Sequence, residues 1–219
     1  MPGKKILIVG NGAISGQYGK RIDSDEFHKV IRLNRFEALM HMDKVGTRMD
    51  ILATRANTLT ENLRGAPLIW LLGGISSKRF WDREEGRERN AAWAVKFRKL
   101  YLDPGGVLLN VPRKFWQDSC KDYNRRQTDL WRRYPKHPKT GRPFQGPTTG
   151  ILAIVAAWAE WEDAEVHLLG FDGCKTGHYY EPDHKHNTVA HDLNMDRTFL
   201  MEWTIAGKIV MLEGGVVSP

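Results

Sequence analysis

The sequence predicts an α/β fold: a mostly parallel, Rossmann-like sheet flanked by helices, with a basic helical insert. Three observations predict it. Short apolar runs rich in β-branched residues recur along the chain, most of them stop at Gly, Asn or Pro, and helical stretches lie between them. Strands separated by helices imply parallel neighbours joined by right-handed crossovers.

In chain order the predicted strands are KILIVG (4–10), VIRLN (30–34), DILAT (50–54), LIWLLG (68–73), VLLNV (107–111), VHLLGF (166–171) and KIVML (208–212). Helical patterns are clearest at 90–101, 115–133, 149–161 and 192–206. The segment PKHPKTGRPFQGP (135–147) carries four prolines and two glycines and reads as a loop. Residues 1–75 and 147–219 would build the sheet layer. Residues 76–146 would form a largely helical, Trp-rich insert or lid within a single domain spanning 1–219.

A chain of 219 residues with 41% apolar and 27% charged residues is composed like a globular domain with a sizeable core. No window reaches the roughly eighteen apolar residues of a membrane span, so no membrane partner is expected. The opening MPGKKILIVG leads into a glycine loop and reads as a first strand rather than a signal peptide. With no export signal read there, Cys120 and Cys174 are expected to be reduced and the protein cytoplasmic.

Positive charge is concentrated in one place. Residues 78–142 hold 18 Lys and Arg against 8 Asp and Glu, while the whole chain has a net charge of only +7. The same stretch carries Trp81, Trp93, Trp116 and Trp131 and the runs Arg125-Arg126 and Arg132-Arg133. A basic, aromatic-laced patch suits an anionic partner such as nucleic acid, an acidic glycan or a charged donor. Amphipathic helices with solvated basic faces and tryptophans in the core would give the same pattern.

The end of the first strand reads VGNGAISGQYGKRID. Glycines 10, 12, 16 and 19 would let a backbone approach a phosphate, with a helix start beyond them. A dinucleotide fingerprint would require glycine at position 15, which is Ser15, and an acid ending the second strand, which ends at Asn34. Nicotinamide and flavin chemistry are therefore disfavoured. Far downstream, Thr148 and Thr149 precede a helix and offer a second anion site, though either can also act as its cap. Finally, GHYYEPDHKHNTVAH places His178, His184, His186 and His191 within fourteen residues, of eight histidines in the chain.

Taken in order, VGN…G-x-x-ID-x-x-D…V-I-R-x-N…VG-x-R-x-D, then P-x-TG…GFD, then HYYE, then H-x-x-x-x-D resemble the large, small, third and very small sialyl motifs of glycosyltransferase family 29. The match covers residues 6–52 and 147–212. The resemblance implies a sialyltransferase-like variant of the GT-A fold. It further implies an inverting transfer of sialic acid or a related acid sugar from a CMP-sugar to an acceptor hydroxyl on a glycan or other anionic acceptor. Asn11, Gly12 and Asn34 would then hold the phosphate and ribose of the donor, and Thr148, Thr149 and Gly150 its nucleotide. His178 would contact the phosphate, Tyr179 would line the site, and His191 would be the catalytic base. The family needs no divalent metal and no cofactor beyond the donor substrate, and none is expected here.

The chemistry fits these roles. The leaving CMP phosphate is stabilised by a hydrogen-bonding or protonated His178, and a histidine pKa near ~6.5 suits His191 to take the acceptor's proton. His184 and His186 read as solvated loop residues, and Asp23-Ser24-Asp25, formally a D-x-D, as a cap or turn. Residues 1–75 lack the cysteine of the family's vertebrate disulfide, and Asp196 stands where Glu is usual. These departures point to a bacterial or viral cytoplasmic relative, whose donor sugar can be another cytidine-linked acid such as Kdo. Two alternatives remain open at this stage: a nucleic-acid-modifying glycosyltransferase gripping its acceptor through residues 78–142, and a non-catalytic nucleotide- or nucleic-acid-binding protein.

Overall fold

The structure is a computed structural model. It describes residues 3–36, 39–54, 66–72, 125–126, 129–130, 132–135, 146–174, 183 and 192–213. Six strands, β1 (Lys5–Val9), β2 (Lys29–Leu33), β3 (Ile51–Thr54), β4 (Ile69–Leu71), β5 (Glu165–Leu169) and β6 (Ile209–Met211), form one sheet in the order β4-β3-β2-β1-β5-β6. Every neighbouring pair is parallel.

Both faces of this sheet are covered, which is why its strands read as continuous apolar runs. Along β1, Ile6 and Ile8 face one side and Leu7 and Val9 the other, as the two-residue strand period requires. The first side is closed by helix α3 (Thr149–Glu160), which buries Ile151, Leu152, Ala153, Ile154, Val155 and Ala157; its alanines allow close approach to the sheet. Helix α4 (Leu193–Ile205) adds Phe199 and Leu200 to the same core.

The second side is closed differently from expectation. Between β1 and β3 lie only two four-residue helices, α1 (Gly19–Ile22) and α2 (Met42–Val45), and a 3₁₀ turn at Leu39–His41. Ile22 and Val45 from these helices, with Ile14 and Phe27 from the loops beside them, cover Leu7, Val9, Val30 and Leu169. Such irregular chain needs side chains to hold its backbone, and the sequence supplies them. Asp23 accepts the backbone N–H of Thr47 (2.8 Å) and Arg48 (2.7 Å), so it clamps the loop, in keeping with the cap or turn expected there. Fully buried Arg32 donates to the carbonyls of Val45 (2.7 Å), Gly46 (3.1 Å) and Arg48 (2.9 Å). Asp50 accepts the Val30 N–H (2.8 Å) and lies 3.1 Å from Arg48.

The strand expected at 107–111 and the helix at 90–101 fall outside the described residues. Helical backbone at 125–126, 129–130 and 132–133 agrees with the end of the helix expected over 115–133. Among the described residues no helix is long and apolar enough to cross a membrane.

Candidate donor site at the reversal of strand order

In an open parallel sheet the crevice for a ligand lies at the carboxyl ends of the strands, where strand order reverses. Here that point falls between β1 and β5. The two chains leave the sheet tightly apposed: Gly10 N–H donates to Leu169 O (2.7 Å) and Gly12 N–H to Gly170 O (3.0 Å). A Cβ on Gly10 would lie 2.5 Å from Gly170 O, and one on Gly12 would lie 2.8 Å from both Gly170 O and Asp172 Oδ1.

These glycines have packing reasons of their own, beside the phosphate approach expected of the loop. Glycines 10 and 12 are small because the loop after β5 crosses them, Gly16 because the Tyr18 ring lies against it, and Gly19 because a side chain there would collide with the Met42 carbonyl. The α1 helix is a single turn of four residues, too short to present a helix dipole. The loop's amides at Ser15 (2.7 Å) and Gly16 (3.0 Å) already donate to one carboxylate oxygen of Glu213, which also accepts the Ser15 hydroxyl. The Glu213 side chain thus occupies part of this loop.

Two asparagines stand at these strand ends. Asn34 ends β2 with a left-handed backbone (φ +48°), a conformation Asn adopts more readily than most residues. Its N–H donates to Ala53 O (2.9 Å) and its Oδ1 accepts the Thr54 hydroxyl (3.3 Å). From the end of β1, the Asn11 amide donates to the carbonyls of Leu33 (3.3 Å) and Arg35 (2.7 Å), on either side of Asn34. Both Asn11 amide hydrogens are thereby engaged, while its buried Oδ1 has no hydrogen-bond partner among the described residues. A buried acceptor without a donor is costly unless a ligand supplies one.

The start of α3 lies over the same strand ends. A Cβ on Gly150 would meet the Phe171 ring at 2.8 Å and Leu33 Cδ1 at 3.5 Å, so glycine lets the helix seat there. Thr148 is the N-cap residue by its extended backbone, yet its side chain makes no capping hydrogen bond. The hydroxyl is thus not committed to the helix. Thr149, by contrast, is buried at 6% exposure. A twelve-residue helix with open N–H groups is a suitable seat for an anion.

Asp196, the acid of the H-x-x-x-x-D motif, and Arg197, which no sequence motif singled out, hold this turn in place. Asp196, 3% exposed, accepts the Thr148 N–H (3.0 Å) through Oδ2 and the Tyr134 hydroxyl through Oδ1. Arg197 donates to Gly173 O (2.7 Å), and Asp172 Oδ1 accepts the Cys174 N–H (2.8 Å), which together shape the turn after β5. Burial and the nearby Asp172 carboxylate push the Cys174 thiol up to about 12, so it is a neutral, poorly nucleophilic thiol. Asp196 was legible through the motif that contains it, whereas nothing in the sequence announced the role of Arg197.

His178, Tyr179, His184, His186 and His191 lie outside the described residues. Asp192, which follows His191 in the chain, caps α4 by accepting the Met195 N–H (3.0 Å), as expected for a helix beginning there. Among the described residues no three His, Cys, Asp or Glu side chains gather as a metal site would require. Two of the basic-segment arginines are paired within the protein, Arg132 with Asp129 (2.9 Å) and Arg133 with Glu202 (2.7 Å). Their charge is to that extent already balanced.

No family model matches the chain. It is similar to the type 2 lactosamine alpha-2,3-sialyltransferases of mouse (26% identical over 192 residues, 78% of this chain and 51% of the relative), rat (24%, 84% and 53%) and human (27%, 78% and 50%). The chain therefore spans about half the length of the curated relatives it matches. Among solved structures, a mammalian sialyltransferase superposes with a TM-score of 0.54 at 16% identity, covering 97% of this chain and 70% of the other. The sialyltransferase CST-II, in complex with a trisaccharide acceptor and CMP, gives 0.51 at 16% identity, covering 95% and 81%. The open parallel α/β sheet is thus the fold of these sialyltransferases.

Proposed function

We propose that this chain is a sialyltransferase-like, inverting glycosyltransferase that moves an acid sugar from a CMP-linked donor to a glycan hydroxyl without a metal. The observation that supports this reading is Asn11 bonding the backbone on both sides of Asn34 beside the start of α3, where strand order reverses, in a fold shared with a CMP-bound sialyltransferase. The sequence relatives, though distant, carry the same activity in their names.

In this reading the division of labour among the donor residues follows from their hydrogen bonds. The unpaired Asn11 Oδ1 accepts a ribose hydroxyl, because its amide hydrogens are held by Leu33 and Arg35 carbonyls. The phosphate lies at the Thr148 hydroxyl and the α3 N-terminus, where positive dipole and free N–H groups favour it. Asn34 contributes its amide hydrogens from the end of β2, since its Oδ1 is engaged by Thr54. His178 hydrogen-bonds the leaving phosphate and His191 takes the acceptor proton, roles that rest on the sialyl-motif resemblance.

The test is calorimetric titration with cytidine monophosphate in the presence of a chelator, with uridine and guanosine monophosphates as controls. The expected result is selective, chelator-insensitive cytidine binding that Asn34→Ala weakens by about tenfold, the loss of roughly one charge-assisted hydrogen bond. Absence of binding to any of the three nucleotides overturns the proposal. Turnover with a CMP-sugar that survives His191→Ala removes His191 as the base.

A further inference from the structure

The C-terminal end of the basic segment lies along one stripe of α4. Arg133 forks onto Glu202 with bonds of 2.7 and 2.8 Å, and its guanidinium sits 4.4 Å from the Phe199 ring centroid. The Tyr134 ring packs 5.7 Å from Phe199, and its hydroxyl donates to Asp196. Positions 196, 199 and 202 recur every three residues and so share a helix face. Tyr134, at 1% exposure, and Leu130, at 5%, are core residues of this contact.

Asp196 is the junction. A carboxylate this buried is stable only if its oxygens are satisfied. Here each oxygen is tied to a different segment: Oδ1 to the Tyr134 hydroxyl and Oδ2 to the Thr148 N–H (3.0 Å). Tyr134 therefore helps to orient the carboxylate that holds the Thr148 N–H.

From this geometry we propose that Tyr134 is a positioning residue for the nucleotide-contacting turn, acting through Asp196 on Thr148. The proposal rests on the donor-site reading above. With Tyr134 seated against Phe199, its hydroxyl orients the Asp196 carboxylate that holds the Thr148 N–H; without that hydroxyl the hold on the turn is loosened. By linkage, a donor that fixes Thr148 also favours the Tyr134–Asp196 contact.

The experiment uses the full chain, titrated with cytidine monophosphate by calorimetry and followed by thermal unfolding, as wild type, Tyr134→Phe, Asp196→Asn and the double variant. Tyr134→Phe keeps the ring against Phe199 and removes only the hydroxyl. Its dissociation constant should rise about fivefold or more while the unfolding midpoint moves by only a few degrees. The double variant should bind no more weakly than Asp196→Asn alone, because both act along one path. Arg133→Ala, which loosens the segment from the surface of α4 without touching Asp196, should also weaken binding. Unchanged affinity in Tyr134→Phe or in Arg133→Ala, or losses that add in the double variant, overturns the proposal. Those outcomes leave the donor site standing, whereas a wild-type chain that binds no cytidine nucleotide overturns both.

Discussion

Asn11 holds the backbone on both sides of Asn34, donating to the carbonyls of Leu33 and Arg35 from the neighbouring strand end. The two asparagines, 23 positions apart in the sequence, thus form one unit at the mouth of the crevice. Asn11→Asp removes both donors and sets a negative charge against two carbonyl oxygens. We expect it to abolish cytidine monophosphate binding and to lower stability by about 1–3 kcal/mol, read by calorimetry and urea denaturation. Asn11→Asp binding as tightly as wild type would exclude this unit from the donor site.

Glu213 pins the loop after β1 to the end of β6 through the amides of Ser15 and Gly16. Glu213→Ala leaves those groups without their acceptor and should lower stability by about 1–2 kcal/mol. Glu213→Gln keeps a carbonyl oxygen in the same place and should lose less. Denaturation midpoints of the two variants, measured side by side, check the order.

His167 is enclosed in the sheet, its ring 5.6 Å from that of Phe27. Burial lowers its pKa below the ordinary 6.5, and the Glu165 carboxylate, 2.9 Å away, offsets this only in part. Below pH 6.5 the unfolded chain therefore binds more protons here than the folded one. Stability contributed by neutral His167 is present above that pH and is lost as the pH falls through it towards the folded-state value. Thermal midpoints recorded from pH 7.5 downwards should fall more steeply for wild type than for His167→Gln. Parallel curves would show that the histidine is not the titrating group.

Cys174 carries a thiol pushed up to about 12 by burial and by Asp172 and Asp196. Its thiolate fraction at pH 8 is on the order of 10⁻⁴, against about a tenth for an unperturbed thiol. Alkylation by iodoacetamide, followed by peptide mass spectrometry, should be at least a hundredfold slower at this position in the native chain than in the denatured one. Equal rates would contradict the enclosure of the turn after β5.

Much of the architecture was legible in the sequence because parallel strands covered on both faces must be apolar throughout. Each of the six described strands falls within one or two residues of its expected run, and α3 and α4 within one. Asn34 and Thr148 were legible for a related reason: a polar residue at the end of an apolar run marks the point where the chain leaves the core. The short helices α1 and α2 left no comparable trace, since four residues do not establish a period.

What the sequence determined by itself is the alternation of strands and helices, the sialyl-motif resemblance and the concentration of positive charge between residues 78 and 142. Only the tertiary structure decided what each glycine of the first loop packs against. It also decided that Glu213 fills the loop expected to take a phosphate, and that Asp196 joins Tyr134 to Thr148. The physical reason is that spacing along a chain encodes local backbone geometry, whereas a hydrogen bond between residues 48, 62 or 197 positions apart exists only once the sheet has brought them together.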